Sequence, residues 1–357
     1  MNISSRRVAW LDFLRIFSAF SIVFLHVSSH YLENQIPFGS FSWFVTDAEL
    51  AFTRFAVPVF VMISGVFFLN PQKDIPLSVL YRKYIGRMLT VLVGWAVIRT
   101  AVMNVWLGHA PAGEWAQDIF VSVMWYWFLP MIIGLYMVSP FLRVLTAQGG
   151  RKLMIYFMVL CLVFAMGLPV LEDAEKFFFP DSYYVSTFTK LMKIPFWTFG
   201  AHFMFGYYAF TYEISPLAKK WICGAALVSW LLLAVGTYGF FDDKAGRFYF
   251  YSMQGASLSP LTFFTGAAVF LFGKDVLGKI AFGPRVLLWT ERLACYSLGV
   301  YMFHLILVEL SVYFGVFKAM NGWYVALIPS IAIGIFILAN AGIALLYKIP
   351  FFRKYCL

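Results

Sequence analysis

Apolar residues run through this chain in long blocks, and about ten of the blocks have the length, roughly 20 residues, that a helix needs to cross a bilayer. They cover residues 8–29, 47–69, 88–106, 119–140, 153–171, 196–212, 221–240, 251–272, 293–315 and 325–347, with short polar or Pro/Gly-containing breaks between them. Only helices and closed barrels satisfy their backbone in hydrocarbon, and blocks this long are helical. The pattern therefore predicts an all-α fold: a polytopic transmembrane bundle of about ten helices. It forms one membrane domain over residues 1–357, with no appended soluble domain. Pro130 interrupts the fourth block, and the eighth opens on the polar stretch 254–259.

The first block departs most from a plain apolar span, because it carries Asp12, Arg15, His26 and several serines. Charge inside hydrocarbon costs several kcal/mol unless it is paired or faces a polar cavity, so such residues mark a functional site by default. The eleven positions from Arg15 to His26 turn about 1100°, within roughly 20° of three full turns, and rise about 16 Å. Both side chains therefore share one line of the helix. Asp12, Ser18 and Ser29 fall within about 70° of it, which gives a polar stripe, whereas Ser21 and Ser28 point elsewhere.

Composition agrees with the block pattern: 62% of the residues are hydrophobic, 12% are charged, and the mean hydropathy is +0.80. No water-soluble domain has that balance. Of the 27 Lys and Arg residues, eighteen fall in breaks on one side if both termini are cytoplasmic, six fall on the other side, and Arg15, Arg54 and Arg99 lie within blocks. The positive-inside rule thus places both termini in the cytoplasm. The net charge of +10 reads as topology plus attraction to membrane lipid or a phosphorylated ligand, and nucleic acid is not an expected partner. The first block's polar groups distinguish it from a cleaved signal, so it is expected to be retained. Cys161, Cys223, Cys295 and Cys356 show no CxxC spacing, so neither a disulfide framework nor a metal site is expected. The longest external break, 172–195, suits a small cap or glycan-facing surface as well as a plain connection.

Four motifs occur in order along the chain. The first block reads WLDFLRIFSAFSIVFLH, and the second holds Arg54, then Val57, Pro58, Phe60, Ser64 and Gly65. Trp127, Phe128 and Leu129 precede Leu135-Tyr136-Met137-Val138-Ser139-Pro140, and Tyr296 to His304 reads YSLGVYMFH. Together they resemble the acyltransferase-3 family of integral membrane O-acyltransferases, whose first helix carries Asp-x-x-Arg followed at this spacing by His. That family also has a VP-x-F-x-x-x-SG signature and a late Ser-Leu-Gly-x-Tyr-x-x-His element. The compact form looks most like the branch of enterobacterial-common-antigen O-acetyltransferases.

The resemblance implies transfer of an acyl group, acetyl being favoured, from cytoplasmic acyl-CoA to a hydroxyl of a lipid-linked or surface glycan. Acetyl-CoA is then a substrate, and no tightly bound cofactor is expected. Such transfer needs a base for the hydroxyl proton and polar groups for the oxyanion. His26 is the candidate base; the alternative is a histidine bonded within the bundle. Arg15 suits a coenzyme A phosphate, with Asp12 one turn away to orient it, and a plain Asp12–Arg15 pair is compatible with that role. The break 82–87 supplies Arg82, Lys83 and Arg87 as a second phosphate clamp, although such breaks also serve as topology or lipid signals.

Supporting positions follow. Ser64 and Gly65 fit a narrow acyl tunnel or tight helix packing. Arg54 precedes Pro58, which frees backbone carbonyls, and Glu49 could pair with Arg54 or orient His26. Tyr301 and His304 read as structural or tunnel-lining partners. Trp125, Tyr126 and Trp127 suit an aromatic belt or a sugar platform. The expected protein is a multi-pass O-acetyltransferase of the bacterial cytoplasmic (inner) membrane. A secondary transporter or flippase for a glycan or small metabolite is the rival, with no inverted repeat between the halves to favour it.

Overall fold

The structure, a computed structural model, describes residues 8–107, 115–178, 199–239, 259–316 and 323–355. Every regular element among them is helical. Nine helical segments among the described residues are long and apolar enough to cross a membrane. They match nine of the ten expected blocks. The sixth block is the exception, since helix α9 (Gly200–Thr211) has 12 residues. That is about 18 Å of helix, short of the roughly 30 Å hydrocarbon thickness. Residues 196–198 of that block lie outside the described residues, as do the polar stretch 254–258 and residues 179–195 of the expected external connection.

The first block is α1 (Ala9–Asn34). The second splits into α2 (Phe41–Thr53) and α3 (Ala56–Phe68). Its break falls at Arg54 and Phe55, as Pro58 requires, because proline has no N–H to offer the carbonyl four residues earlier. The third block begins sooner than expected. A helical turn (Leu77–Val79) leads into a π-helical turn (Leu80–Ile85) and then α4 (Gly86–Leu107), so residues 82–87 are helical and not a loop.

The fourth block also differs. Helix α5 (Trp115–Trp125) stops at a turn, and α6 (Phe128–Gln148) starts afresh. Pro130 sits in the first turn of α6, where a missing N–H is tolerated, so the interruption lies at Tyr126 and Trp127 instead. Beyond it come α7 (Gly150–Leu160), a π turn (Cys161–Gly167) and α8 (Leu168–Phe178), which takes up the first residues of the expected external connection. Helices α10 (Pro216–Gly239), α11 (Pro260–Asp275), α12 (Pro284–Tyr313), α13 (Tyr324–Leu346) and α14 (Pro350–Tyr355) follow α9.

The chain divides into two compact units. One comprises Met1–Leu14, Pro37–Lys73 and Ser139–Ala281. Its centre is the crossing of α3 and α9, where two glycines remove the side chains that would hold the backbones apart. A Cβ on Gly65 would lie 1.8 Å from the Phe203 carbonyl oxygen, and one on Gly206 would lie 1.9 Å from that of Met62. Without hydrophobic drive between helices in lipid, such close backbone contact supplies the packing energy. Trp10 closes one end against Phe270, edge to face at 5.2 Å.

The ends of α3 and α9 are held by residues from the α6–α7 corner, which turns through Gly150 at φ +63°, and by Lys274 of α11. Thr146 Oγ1 donates to the Leu69 carbonyl at 2.8 Å, and Arg143 Nη2 to that of Asn70 at 3.4 Å. Arg151 Nη2 donates to Tyr208 Oη and to the Glu213 carbonyl, while Lys274 Nζ reaches the carbonyls of Ala209 and Tyr212 at 2.8 and 3.2 Å. These cations sit where a helix dipole is negative, each a gain of about 0.3–1 kcal/mol.

The other unit comprises Arg15–Ile36, Asp74–Val138 and Phe282–Leu357. In it α12 and α13 pack together, with Gly342 set against the Phe303 ring. Helix α1 meets α13 through Phe20–Phe336 and Tyr31–Tyr324.

Gly65→Ala and Gly206→Ala should each lower stability by about 1–3 kcal/mol or more, because backbone atoms cannot yield as a flexible side chain would. Gly134→Ala, in the interior of α6 with nothing within 4 Å of its Cβ, should instead gain up to about 1 kcal/mol. Thermal melts of the three variants in detergent, read by size-exclusion chromatography, check the contrast.

Candidate active site

The stripe of α1 gains a partner from the far end of the chain. The His26 and His304 rings lie 5.2 Å apart between centroids, tilted by 46°. His26 is half-buried and His304 fully buried. Nδ1 of His304 lies 3.1 Å from the Val300 carbonyl, which can only accept, so Nδ1 carries the proton in the neutral ring. Its Nε2 then holds a lone pair, and that atom is buried with no hydrogen-bond partner among the described residues. Tyr301 lies beside it, 5.7 Å from the His304 ring and 5.3 Å from Phe128.

Direction along the helices relates this pair to the cationic end of the unit. The Phe303 ring of α12 lies 5.7 Å from that of Trp95 of α4, and Arg99 of α4 pairs with Glu309 of α12, so the two helices run the same way. Helix α1 also runs with α12, since both oppose α13: residues 20 and 31 of α1 meet 336 and 324, and residues 296 and 303 of α12 meet 347 and 342. Eleven positions back from His26 on α1 is Arg15. Eleven back from the Trp95–Ala96 level on α4 is Ile85, in the middle of residues 82–87. Arg15 and the three cations thus occupy one level of this unit, about 16 Å along the helices from the histidine pair.

The π turn shapes that level. The Gly86 N–H bonds to the Tyr81 carbonyl five residues back, which brings residues five apart towards one face. Arg82 and Arg87 are five apart and both exposed, as is Lys83, which lies 5.6 Å from the Tyr84 ring. A Cβ on Gly86 would crowd the Tyr81 oxygen at 3.2 Å, so glycine suits the turn.

Beyond the histidines lies a polar group the sequence reading did not single out. Arg99, buried, is ion-paired to Glu309, and its Nη1 donates to Ser122 Oγ at 2.9 Å. Ser122 and Thr100 share a hydrogen bond of 2.9 Å, and the guanidinium lies 5.3 Å from the Trp125 ring. Further along, Asn104 Nδ2 donates to Asp118 Oδ2 at 2.8 Å. On α5, Asp118, Ser122 and Trp125 are spaced i, i+4, i+7 and so share the face turned to α4. The turn after Trp125 is fixed by Tyr126 Oη, which donates to the Met302 carbonyl at 3.0 Å. Arg99 and Glu309 each carried a signal, as charges inside apolar blocks. Their pairing, across 210 positions, did not.

The remaining candidates fall elsewhere. Asp12 is buried on α1 and Arg15 half-buried. Arg54, Glu49, Ser64 and Gly65 belong to the first unit. Arg54 is buried at the α2–α3 break, and Glu49 Oε2 is buried without a hydrogen-bond partner among the described residues. Ser64 Oγ donates back to the Phe60 carbonyl at 3.0 Å, and Gly65 serves the α3–α9 crossing. Trp127 is half-buried at the α5–α6 turn. Among the described residues no three His, Cys, Asp or Glu side chains gather as a metal site would require.

The sequence model of the family described as an acyltransferase domain, acyltransferase 3, matches residues 8–347, and the chain belongs to that family. No curated protein matches the chain, and no solved structure does.

Glu309→Ala should cost about 3–5 kcal/mol, because it leaves the Arg99 guanidinium buried without its counter-charge. Combining it with Arg99→Met should restore most of the loss. Melting the single and double variants side by side measures both.

Proposed function

We propose that this acyltransferase moves an acetyl group from cytoplasmic acetyl-CoA to a hydroxyl of a lipid-linked or cell-surface glycan, in a bacterial cytoplasmic (inner) membrane. Both termini would face the cytoplasm, and its nearest functional kin would be the enterobacterial-common-antigen O-acetyltransferases. The observation that carries the reading is the two-level arrangement of the second unit: Arg15 level with Arg82, Lys83 and Arg87, and His26 beside His304 three helical turns away. An acyl-CoA has the same polarity, with phosphates at one end and, at the end of a long thin arm, the thioester.

In this reading Arg15, Arg82, Lys83 and Arg87 bind the phosphates, guanidinium forks being suited to that contact. Asp12 orients Arg15. His26 accepts the acceptor hydroxyl's proton as the oxygen attacks the thioester carbonyl, which forms the C–O bond and a tetrahedral oxyanion. Collapse breaks the C–S bond, and the imidazolium returns its proton to the departing thiolate. The enzyme ends as it began, with the acetyl ester and the free coenzyme A thiol as products. Tyr301 packs against His304 and fixes its place.

Purified protein in nanodiscs, given labelled acetyl-CoA with and without candidate glycans, should transfer label only when acceptor is present; a transporter would transfer none. His26→Gln should bind donor yet lose about a hundred- to ten-thousand-fold in single-turnover rate, with a smaller loss for His304→Gln. Near wild-type turnover by His26→Gln would place the base elsewhere.

Arg15→Ala and Arg87→Ala should each weaken coenzyme A binding by roughly 1.5–3 kcal/mol, the worth of a charge-assisted hydrogen bond. Calorimetric titration of folded variants measures it, and unchanged affinity in both would remove the clamp.

A further inference from the structure

We infer that the Arg99–Glu309 pair, with Ser122 and Trp125, is a binding station for a neutral, hydroxyl-bearing sugar ring. As the station of the acceptor, it rests on the acyl-transfer reading above; as a sugar site it stands by itself. A purely structural ion pair buried between three helices would be expected to use all its hydrogen-bonding capacity, since vacancies there are costly. This one does not. Nε of Arg99 and Oε2 of Glu309 are both buried without a partner among the described residues. One donor and one acceptor of the same ion pair are therefore left over. A hydroxyl donates and accepts, so one hydroxyl or two neighbouring ones complete the set.

Charge narrows the ligand further. The guanidinium and carboxylate neutralise one another, so the station offers no net attraction to a phosphate or a sugar acid. The aromatic surface points the same way. Trp125 is 41% exposed and sits over the Arg99 guanidinium, and the Glu309 side chain is 26% exposed. The pair is thus flanked by exposed indole, on which an apolar sugar face can lie, and its carboxylate is partly exposed.

Position completes the case. Glu309 lies five residues beyond His304 on α12, about 7.5 Å along the axis and on a different face. The station is therefore a neighbour of the histidine pair and not part of it. It lies on the side away from Arg15 and residues 82–87, so donor and sugar would approach the histidines from opposite ends of this unit.

Methyl β-glucoside and methyl β-glucuronide, each at millimolar concentration with the full chain in nanodiscs, are the probes, read by saturation-transfer NMR. The wild type should bind the glucoside and not the glucuronide. Trp125→Ala should weaken glucoside binding by about tenfold while coenzyme A affinity stays unchanged. Glu309→Gln keeps the shape but removes the counter-charge, and should shift preference towards the glucuronide. If that variant does not fold, Trp125→Ala alone decides. Absence of glucoside binding by the wild type, or undiminished binding by every folded variant, overturns the station. Parallel acetyl-transfer assays separate the two ideas. Glucoside binding without transfer to any acceptor would overturn the acyl-transfer reading and leave the station standing; transfer with unchanged acceptor KM in both variants would do the reverse.

Discussion

Hydrocarbon offers no water to a polar group, and the placement of each charge inside this chain follows from that. Helix α12 is where the constraint is met most densely in its unit. Tyr301 and Met302 meet the α5–α6 turn, His304 meets α1, and Glu309 meets α4, so within nine residues one helix takes three different neighbours. A helix whose polar groups are shared out around its circumference cannot slide or rotate without breaking one of these contacts. The histidines are thereby held in place by interactions that lie above and below them.

The basic residues near the helix ends divide by use as well as by side. Arg143, Arg151 and Lys274 are engaged with carbonyls at the ends of α3 and α9, and Lys219 pairs with Asp275 at 2.5 Å. Arg82, Lys83 and Arg87 are exposed on their helix. A count of positive charge per connection treats both groups alike, because it reflects insertion into the membrane. The folded chain distinguishes cations that finish a helix from cations that face outward.

Apolar length was enough to read nine of the spanning segments, since a block of that length has few other folds open to it. It failed for α9, where residues 200–211 are as apolar as a span but form only about three turns. The shared line of Arg15 and His26 was legible because it depends on helical geometry alone. The contact of His26 with His304, and of Arg99 with Glu309, was not, because each joins residues hundreds of positions apart and periodicity says nothing of which helices become neighbours. Ser64 and Gly65 show an intermediate case. Their spacing allowed tunnel or packing, and the 1.8 Å that a Gly65 Cβ would leave to Phe203 assigns that glycine to packing. The break at Tyr126 escaped notice because Pro130, the obvious breaker, is harmless in a first turn.

The π turn before α4 has a consequence of a different kind. A stretch bonded i→i+5 holds one residue more than an α-helix of the same run would need. Loss of a single residue between 80 and 85 could therefore be absorbed without breaking the helix, as the turn relaxed to ordinary α geometry. Six residues of π turn and five of α-helix wind through nearly the same angle, so the segments on either side would keep their relative orientation. With a residue lost between them, Arg82 and Arg87 would stand four apart in an α-helix, about 40° around it, and would still share a face. In this segment the chain has a residue to spare, and its cationic face would outlast the loss of it.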